Sequence, residues 1–391
     1  VSLTDRLKAA ATQPDARRKR ESHPSGFEPG VAYEAGQPAS VTLRFAEQTP
    51  DESQWREEIK RVTGLTVPDD REVQLKDVRF WGNQAEPYVY CRFVIIPRTR
   101  FADPADLEAL VKIAKGRVTK KPVDGGDHAF VFAIGDTQLG KTDGDGTEGT
   151  VQRVIDSFAR AVSRVRELRR MGRSIGPIYL CWLGDHIEGQ NSQGGGLIWR
   201  TDLTITEMNR LFRRLVMEQV KMFAPLTDEL IVAGIPGNHG EPLRIAGKMA
   251  SRYDDSWDTE ALMQAADAFA LAGGYEHVKF ITPGHDELTL TLDMAGTITT
   301  LAHGHKWRPG KAMDWWANQA HGMQAAGDST LLLSGHLHHL RIEQGGCKTW
   351  IQVPAMDGGS KWWTHATGQD SPPGAVTLVV GDGGWTDPLV I

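Results

Sequence analysis

Five times along this chain of 391 residues, an apolar run ends at a small residue and passes at once into a polar cluster. The first cluster reads Gly135-Asp136-Thr137-Gln138, the second Gly184-Asp185-His186-Ile187-Glu188 and the third Gly237-Asn238-His239-Gly240-Glu241. Ala302-His303-Gly304-His305 and Ser334-Gly335-His336-Leu337-His338-His339 complete the set. A continuous apolar run such as Ala129–Ile134 suits a strand in a sheet covered on both faces. Ligands of open α/β sheets bind beyond the carboxyl ends of such strands, so the five loops are expected to converge on one sheet edge. Glycine at these junctions lets the backbone turn sharply and approach a bound ion.

Between the runs the period changes from strand to helix. Val151, Val154, Ile155, Phe158, Val162, Val165 and Leu168 recur at helical spacing with arginines opposite. Asp202–Phe223 reads as the next helix, and Ile178–Leu183 and Glu229–Gly234 as the next strands. Leu288–Asp293, Thr297–Ala302, Leu331–Ser334, Thr349–Val353 and Val376–Val380 follow as strands with fewer helices between them. Residues 128–391 are therefore expected to form one α/β domain, a layered sandwich rather than a βα barrel, without internal repeats.

Residues 41–127 read as a small α/β module and linker. Its strands are Val41–Phe45, Val73–Trp81 and Tyr88–Pro97, and its first helix is Asp51–Val62. A second helix is expected from Asp103-Pro104, an N-cap followed by proline, and KKPVDGGD lies in the linker. Residues 1–40, with Arg17-Arg18-Lys19-Arg20, read as a flexible basic N-terminal segment. Four charges supply little affinity for phosphate at physiological salt, which favours a solvated tail.

Composition narrows the chemistry. Seven of the 13 histidines fall between His285 and His339, in a chain with 42 glycines, which points to loops that hold metal. Oxygen and imidazole donors without thiolate suit Mn²⁺, Fe or Zn²⁺. Cys91, Cys181 and Cys347 lie far apart, which argues against a disulfide scaffold or thiolate zinc site and for a reducing cytoplasm. No apolar run approaches the ~20 residues of a membrane-spanning helix, and the polar, basic start lacks the apolar core of a signal peptide. A net charge of -6 argues against a protein that coats nucleic acid, while leaving room for a local basic patch.

In their order, Asp-x-(His), Gly-Asp-x-x-Glu, Gly-Asn-His-x-Glu, His and Gly-His-x-His, the clusters resemble the calcineurin-like metallophosphoesterase superfamily over roughly residues 128–365. The resemblance implies an αββα sandwich holding two divalent ions, Mn²⁺ first, with Mg²⁺, Fe or Zn²⁺ as alternatives. Carried over by position, it places Asp136, Gln138, Asp185 and His338 around one ion. Asp185, Asn238, His303 and His336 surround the other, with Asp185 bridging. His239 would act on the scissile phosphate, oriented by Glu188, while a metal-bridging hydroxide attacks in line. Gln138 departs from the pattern, which has histidine there. An amide oxygen is the weaker ligand for a transition metal, so the first ion should bind less tightly or be a harder one.

His186 and His305 are the candidate substrate contacts, while His339 is expected to point away from the site on a strand. Seven of the 12 tryptophans follow residue 300, including Trp315-Trp316 and Trp362-Trp363, and could stack unpaired bases. The glycine-rich loop at 189–196 follows a ligand motif directly and is expected near the cleft. These features place a DNA exonuclease or endonuclease first, similar to the Mre11/SbcD branch and to bacteriophage phosphoesterases, acting in the host cytoplasm if phage-encoded. A homodimer and an ATPase partner are what that branch implies, with no membrane. The alternative is a phosphomonoesterase, or a phosphatase for small nucleotides or proteins. A third reading, a non-catalytic scaffold with a degraded metal site, has Gln138 as its one support.

Overall fold

The structure is a computed structural model. It describes residues 24–32, 40–45, 52–68, 71–82, 87–97, 126–190, 201–245, 248–249, 251–359, 364–365, 368 and 370–391. They belong to two compact units, Val1–Arg100 and Phe101–Ile391. The basic run at 17–20, the helix expected from 103, the linker at 116–125, residues 191–196 of the glycine-rich loop and the tryptophans at 362–363 lie outside the described residues.

In the first unit, β1 (Gly30–Ala32), β2 (Ser40–Phe45), α1 (Glu52–Thr63), β3 (Arg71–Gly82) and β4 (Pro87–Pro97) follow one another. The strands form an antiparallel sheet in the order β1-β2-β4-β3. Alternation along the strands sends Val41 and Leu43 of β2 and Val89, Cys91 and Phe93 of β4 to one face, where Ile59 of α1 joins them in a buried core. Trp55 packs its ring 5.0 Å from that of Phe93.

The second unit begins with β5 (His128–Ile134), α2 (Gly146–Arg170), β6 (Ile175–Trp182), α3 (Ile205–Phe223) and β7 (Leu230–Gly234). The short pair β8 (Arg244–Ile245) and β9 (Lys248–Met249) precedes α4 (Trp257–Ala272) and β10 (Val278–Ile281). Then come β11 (Thr289–Met294), β12 (Thr297–Ala302), α5 (Ala312–His321), α6 (Ala325–Asp328) and β13 (Leu331–Ser334). The chain closes with β14 (Arg341–Gly345), β15 (Lys348–Gln352), β16 (Val376–Gly381) and β17 (Gly384–Val390).

A six-stranded sheet runs β10-β7-β6-β5-β16-β17, parallel from β10 through β5 and antiparallel at β16 and β17. A five-stranded sheet runs β11-β12-β13-β15-β14, parallel across β12, β13 and β15 with an antiparallel strand at each edge. The two-residue period of β5 explains how they stack. Ala129, Val131 and Ala133 share a core with Leu301, Leu331, Leu333 and Ile351 of the second sheet. Phe130, Phe132 and Ile134 point the other way, into a core with Phe158 of α2, Phe212 of α3 and Leu262 of α4. On the outer face of the second sheet, Leu332 and Trp350 pack with Ala312 and Trp316 of α5. Helices, sheet, sheet and helices thus follow one another in layers, in a mixed α/β protein with an additional antiparallel sheet near the N-terminus.

Some elements differ from the sequence reading. Helix α3 starts at Ile205 rather than Asp202 because Thr204 and Glu207 form a reciprocal capping box. Neither α4 nor β10 stands out in the sequence, since the buried stripe of α4 (Ala261, Leu262, Ala265, Ala268 and Phe269) is mostly alanine and differs little from the rest of the helix. The edge strands β14 and β17 are largely exposed and lack an apolar run. Among the described residues no helix is long and apolar enough to cross a membrane.

Candidate metal centre

Asp136 follows β5 by two residues, Asp185 lies just beyond β6, Asn238 beyond β7, His303 beyond β12 and His336 beyond β13. Main-chain bonds stitch these loops together. Asp136 N donates to Gly184 O at 3.0 Å, Gln138 N to Asp185 O at 3.0 Å and Gly335 N to His303 O at 3.1 Å. The backbone is held in an uncommon conformation at Asp136 (φ 50°), Gln138 (φ 40°), Asp185 (φ 55°), His336 (φ 74°) and His338 (φ 60°). Left-handed non-glycine residues cost about 1–3 kcal/mol each and persist only where the surroundings enforce them. Glycine permits the close approach: a Cβ at Gly237 would stand 2.0 Å from Asp185 Oδ1, and one at Gly335 2.5 Å from Asp136 Oδ2.

A residue at the start of α4 clamps two of the loops. The buried carboxylate of Asp258 accepts from Asp185 N at 3.1 Å, His186 N at 3.0 Å and Gly237 N at 2.9 Å. Burial and the nearby Asp185 charge push its carboxyl up to about 6, although the amide bonds pull the other way. Asp258 carries no motif, and Ser256, which caps its helix, was its one trace in the sequence.

At the centre, Asp185 is 1% exposed. Its Oδ1 accepts from His239 N at 2.7 Å, and its Oδ2 lies 2.9 Å from His303 Nε2. Asp185, His303 and His336 each offer a donor atom, all within 4.8 Å of one another. His303 donates its Nδ1 proton to Leu183 O at 2.7 Å, a carbonyl that can only accept, and this aims Nε2 at Asp185. Such a bond fixes the tautomer of a ligating imidazole. Burial opposes charge on His303, yet Asp185 outweighs it and holds the imidazole up at about 9. Asp185 itself is held well below the usual carboxylate range by His303 and His239, against the effect of its burial.

These residues fit a divalent ion. Asn238 Oδ1 is buried without a hydrogen-bond partner, an arrangement that is rare unless something else satisfies the atom. The carboxylate of Asp185 and the imidazoles of His303 and His336 form a donor set suited to Mn²⁺, Fe or Zn²⁺. Beside them, His239 is 7% exposed. Its Nδ1 donates to Glu188 O at 2.8 Å and lies 3.5 Å from Glu188 Oε2, while Nε2 stands 3.9 Å from Asp185 Oδ2. Burial lowers the His239 pKa, but Asp185 and Glu188 together raise it to about 9.

The residues assigned to the other ion are differently engaged. Asp136 Oδ2 accepts from His336 N at 2.8 Å, and its Oδ1 lies 3.3 Å from His338 Nε2. Gln138 Oε1 accepts from Lys141 Nζ at 2.9 Å. The same ammonium pairs with the Asp357 carboxylate, which stands 3.9 Å from His338 Nδ1. Gln138 is thus met by a cation of the chain's own, while Asp136 and His338 pair with each other. Lys141 escaped the sequence reading because it lies just past the first cluster, in a position where lysine usually reads as solvated.

No protein-family model matches the chain, and no curated protein matches it. Solved structures do. An archaeal phosphodiesterase is 11% identical at a TM-score of 0.32, over 67% of this chain and 99% of that one. Vacuolar protein sorting 29 from Cryptosporidium parvum is 13% identical at a TM-score of 0.32, over 68% and 97%. The zinc complex of vacuolar protein sorting 29 from Entamoeba histolytica is 14% identical at a TM-score of 0.28, over 67% and 98%.

The remaining candidates separate clearly. His186 is buried and turned into the core, its ring stacked 4.5 Å from Phe212 and its Nε2 accepting from Gly184 N at 3.0 Å. Burial drives its pKa down to about 3. It shapes the second loop from beneath, and the expectation that it meets substrate is corrected accordingly. His305 is half-buried and lines a cavity of about 200 Å³ with His303, Tyr253, Lys306, Trp307 and Trp315. Trp316 is fully buried and donates to Ala326 O at 2.6 Å, so it packs the fold and stacks on no ligand. His339 lies in a turn beyond β13 rather than on a strand, with Nδ1 donating to Leu337 O at 2.7 Å.

Proposed function

We propose that this chain is a metal-dependent hydrolase of phosphoesters, with a phosphodiester of DNA as its substrate and Mn²⁺ as its ion. The observation that carries the reading is the meeting of Asp185, His303 and His336 beside His239, which is buried between the Asp185 and Glu188 carboxylates. When bound, the ion supplies Lewis-acid activation of a phosphoryl oxygen and of a water nucleophile. The side chains do the rest. Asp185, His303 and His336 orient the reacting group, and Asn238 offers a further oxygen. His239 holds a proton on Nε2, available to a departing alkoxide. Glu188 keeps that ring in place through Nδ1, from its carbonyl and its carboxylate.

Support for a nucleic-acid substrate comes from the cavity next to His303. Its walls include the exposed Tyr253, over whose ring Lys306 lies at 4.6 Å, and the half-buried Trp315, rings on which a base could stack, whereas Trp307 is buried against Trp315 and Trp350. The test is hydrolysis of end-labelled linear DNA, single- and double-stranded, by purified protein with added Mn²⁺, and with EDTA as control. Metal-dependent shortening supports the nuclease reading. Cleavage of a small nucleotide phosphoester with intact DNA would replace it by the phosphatase alternative.

A further inference from the structure

At Asp136, Gln138 and His338 one of the three prospective donors is already taken by a cation of the chain. The Gln138 amide oxygen already accepts from Lys141 Nζ, whose side chain is 12% exposed and lies against the 4%-exposed Asp357 carboxylate. His338 stands between two carboxylates, with Nε2 3.3 Å from Asp136 Oδ1 and Nδ1 3.9 Å from Asp357 Oδ2. The positive charge that this half of the pocket calls for is already present, tethered to the chain. A divalent cation entering here would have to displace an ammonium from two oxygens and then sit beside it, and like charges at such separations disfavour one another. In the other half Asp185, His303 and His336 converge with no lysine among them, and Asn238 Oδ1, like Asp136 Oδ1, is buried without a hydrogen-bond partner.

We propose that Lys141 takes the place of one of the two divalent ions, so that the centre is a single-ion site completed by a built-in lysine cation. The pairing with Asp357 is part of the arrangement, because it fixes the ammonium beside Gln138 and leaves the carboxylate neutralised when no second ion is bound. This inference rests on the reading of Asp185, His303 and His336 as a metal centre.

The experiment is equilibrium dialysis of metal-free, full-length protein against Mn²⁺, with metal content measured by mass spectrometry and the bound ion observed by electron paramagnetic resonance. The expected result is saturation at one Mn²⁺ per chain, with the spectrum of an isolated ion. Lys141→Ala combined with Gln138→His should take up a second equivalent and show exchange coupling between the ions, while Lys141→Arg stays at one. Two equivalents with exchange coupling in the wild type would overturn the inference and leave the metal centre standing. No bound Mn²⁺ in the wild type would overturn both. One equivalent in the wild type and still one in the folded double variant would show that Lys141 is not what excludes the second ion, and the inference would fall.

Discussion

The imidazole of His239 lies between two buried carboxylates, Asp185 and Glu188, and this decides what it can give to a substrate. Held up at about 9, it is protonated at neutral pH and suited to act as an acid toward a leaving oxygen. His239→Ala should therefore slow hydrolysis of an alkyl phosphodiester roughly 10²–10⁴-fold, with metal content unchanged. A p-nitrophenolate leaving group needs little protonation, so the loss on such a substrate should be smaller. Equal losses on both substrates would remove His239 from the acid role. Asp258 acts at a distance, through three backbone amides. Asp258→Ala leaves those three donors buried without partners and should destabilise the fold by at least about 3 kcal/mol in urea denaturation, since each such loss costs about 1–3 kcal/mol.

The elements matter through their ends. Strands β5, β6, β7, β12 and β13 bring their following loops together, and glycine lets those loops touch. Gly237→Ala would drive a Cβ into Asp185 Oδ1, so the third loop must retreat from the second. The variant should still fold but bind Mn²⁺ at least about tenfold more weakly, as a shift of about 1.4 kcal/mol or more implies; unchanged affinity by calorimetry would show that the loops have slack. The junctions of apolar run, glycine and polar cluster were legible from sequence because strand burial and backbone freedom are local properties. Partnerships between distant residues were not. Lys141 and Asp357 are 216 positions apart, and Asp258 reaches back 73 positions to Asp185. His186 illustrates the opposite failure: it lies inside a motif, yet the apolar environment of Trp182 and Phe212 beneath the loop claims its ring.

For the molecule as a whole, metal, protons and stability are linked. In the metal-free protein His303 titrates near 9 instead of the ordinary 6.5, so its ion pair with Asp185 contributes fully below about 6.5 and is lost as pH rises through about 9. An ion on Nε2 must displace that proton. Mn²⁺ affinity should thus increase with pH, by about tenfold per unit for one displaced proton, and level off above about 9. At a hundred times its Kd, the ion should stabilise the fold by about 2.7 kcal/mol. Thermal denaturation with and without Mn²⁺, at pH values across that range, checks the link. A shift that is independent of pH would mean that His303 is not a ligand.

The most direct test of the account is hydrolysis of a chromogenic phosphodiester by the wild type and by Asp185→Asn, first in EDTA and then with Mn²⁺ restored. Asp185 is the group around which His239 and His303 are arranged. The account predicts that the wild type is silent in EDTA and recovers with Mn²⁺. It also predicts that Asp185→Asn stays at least about a hundredfold slower, as the loss of several kcal/mol of metal-dependent stabilisation requires. Hydrolysis that persists in EDTA, or an Asp185→Asn variant as fast as the wild type, would contradict it.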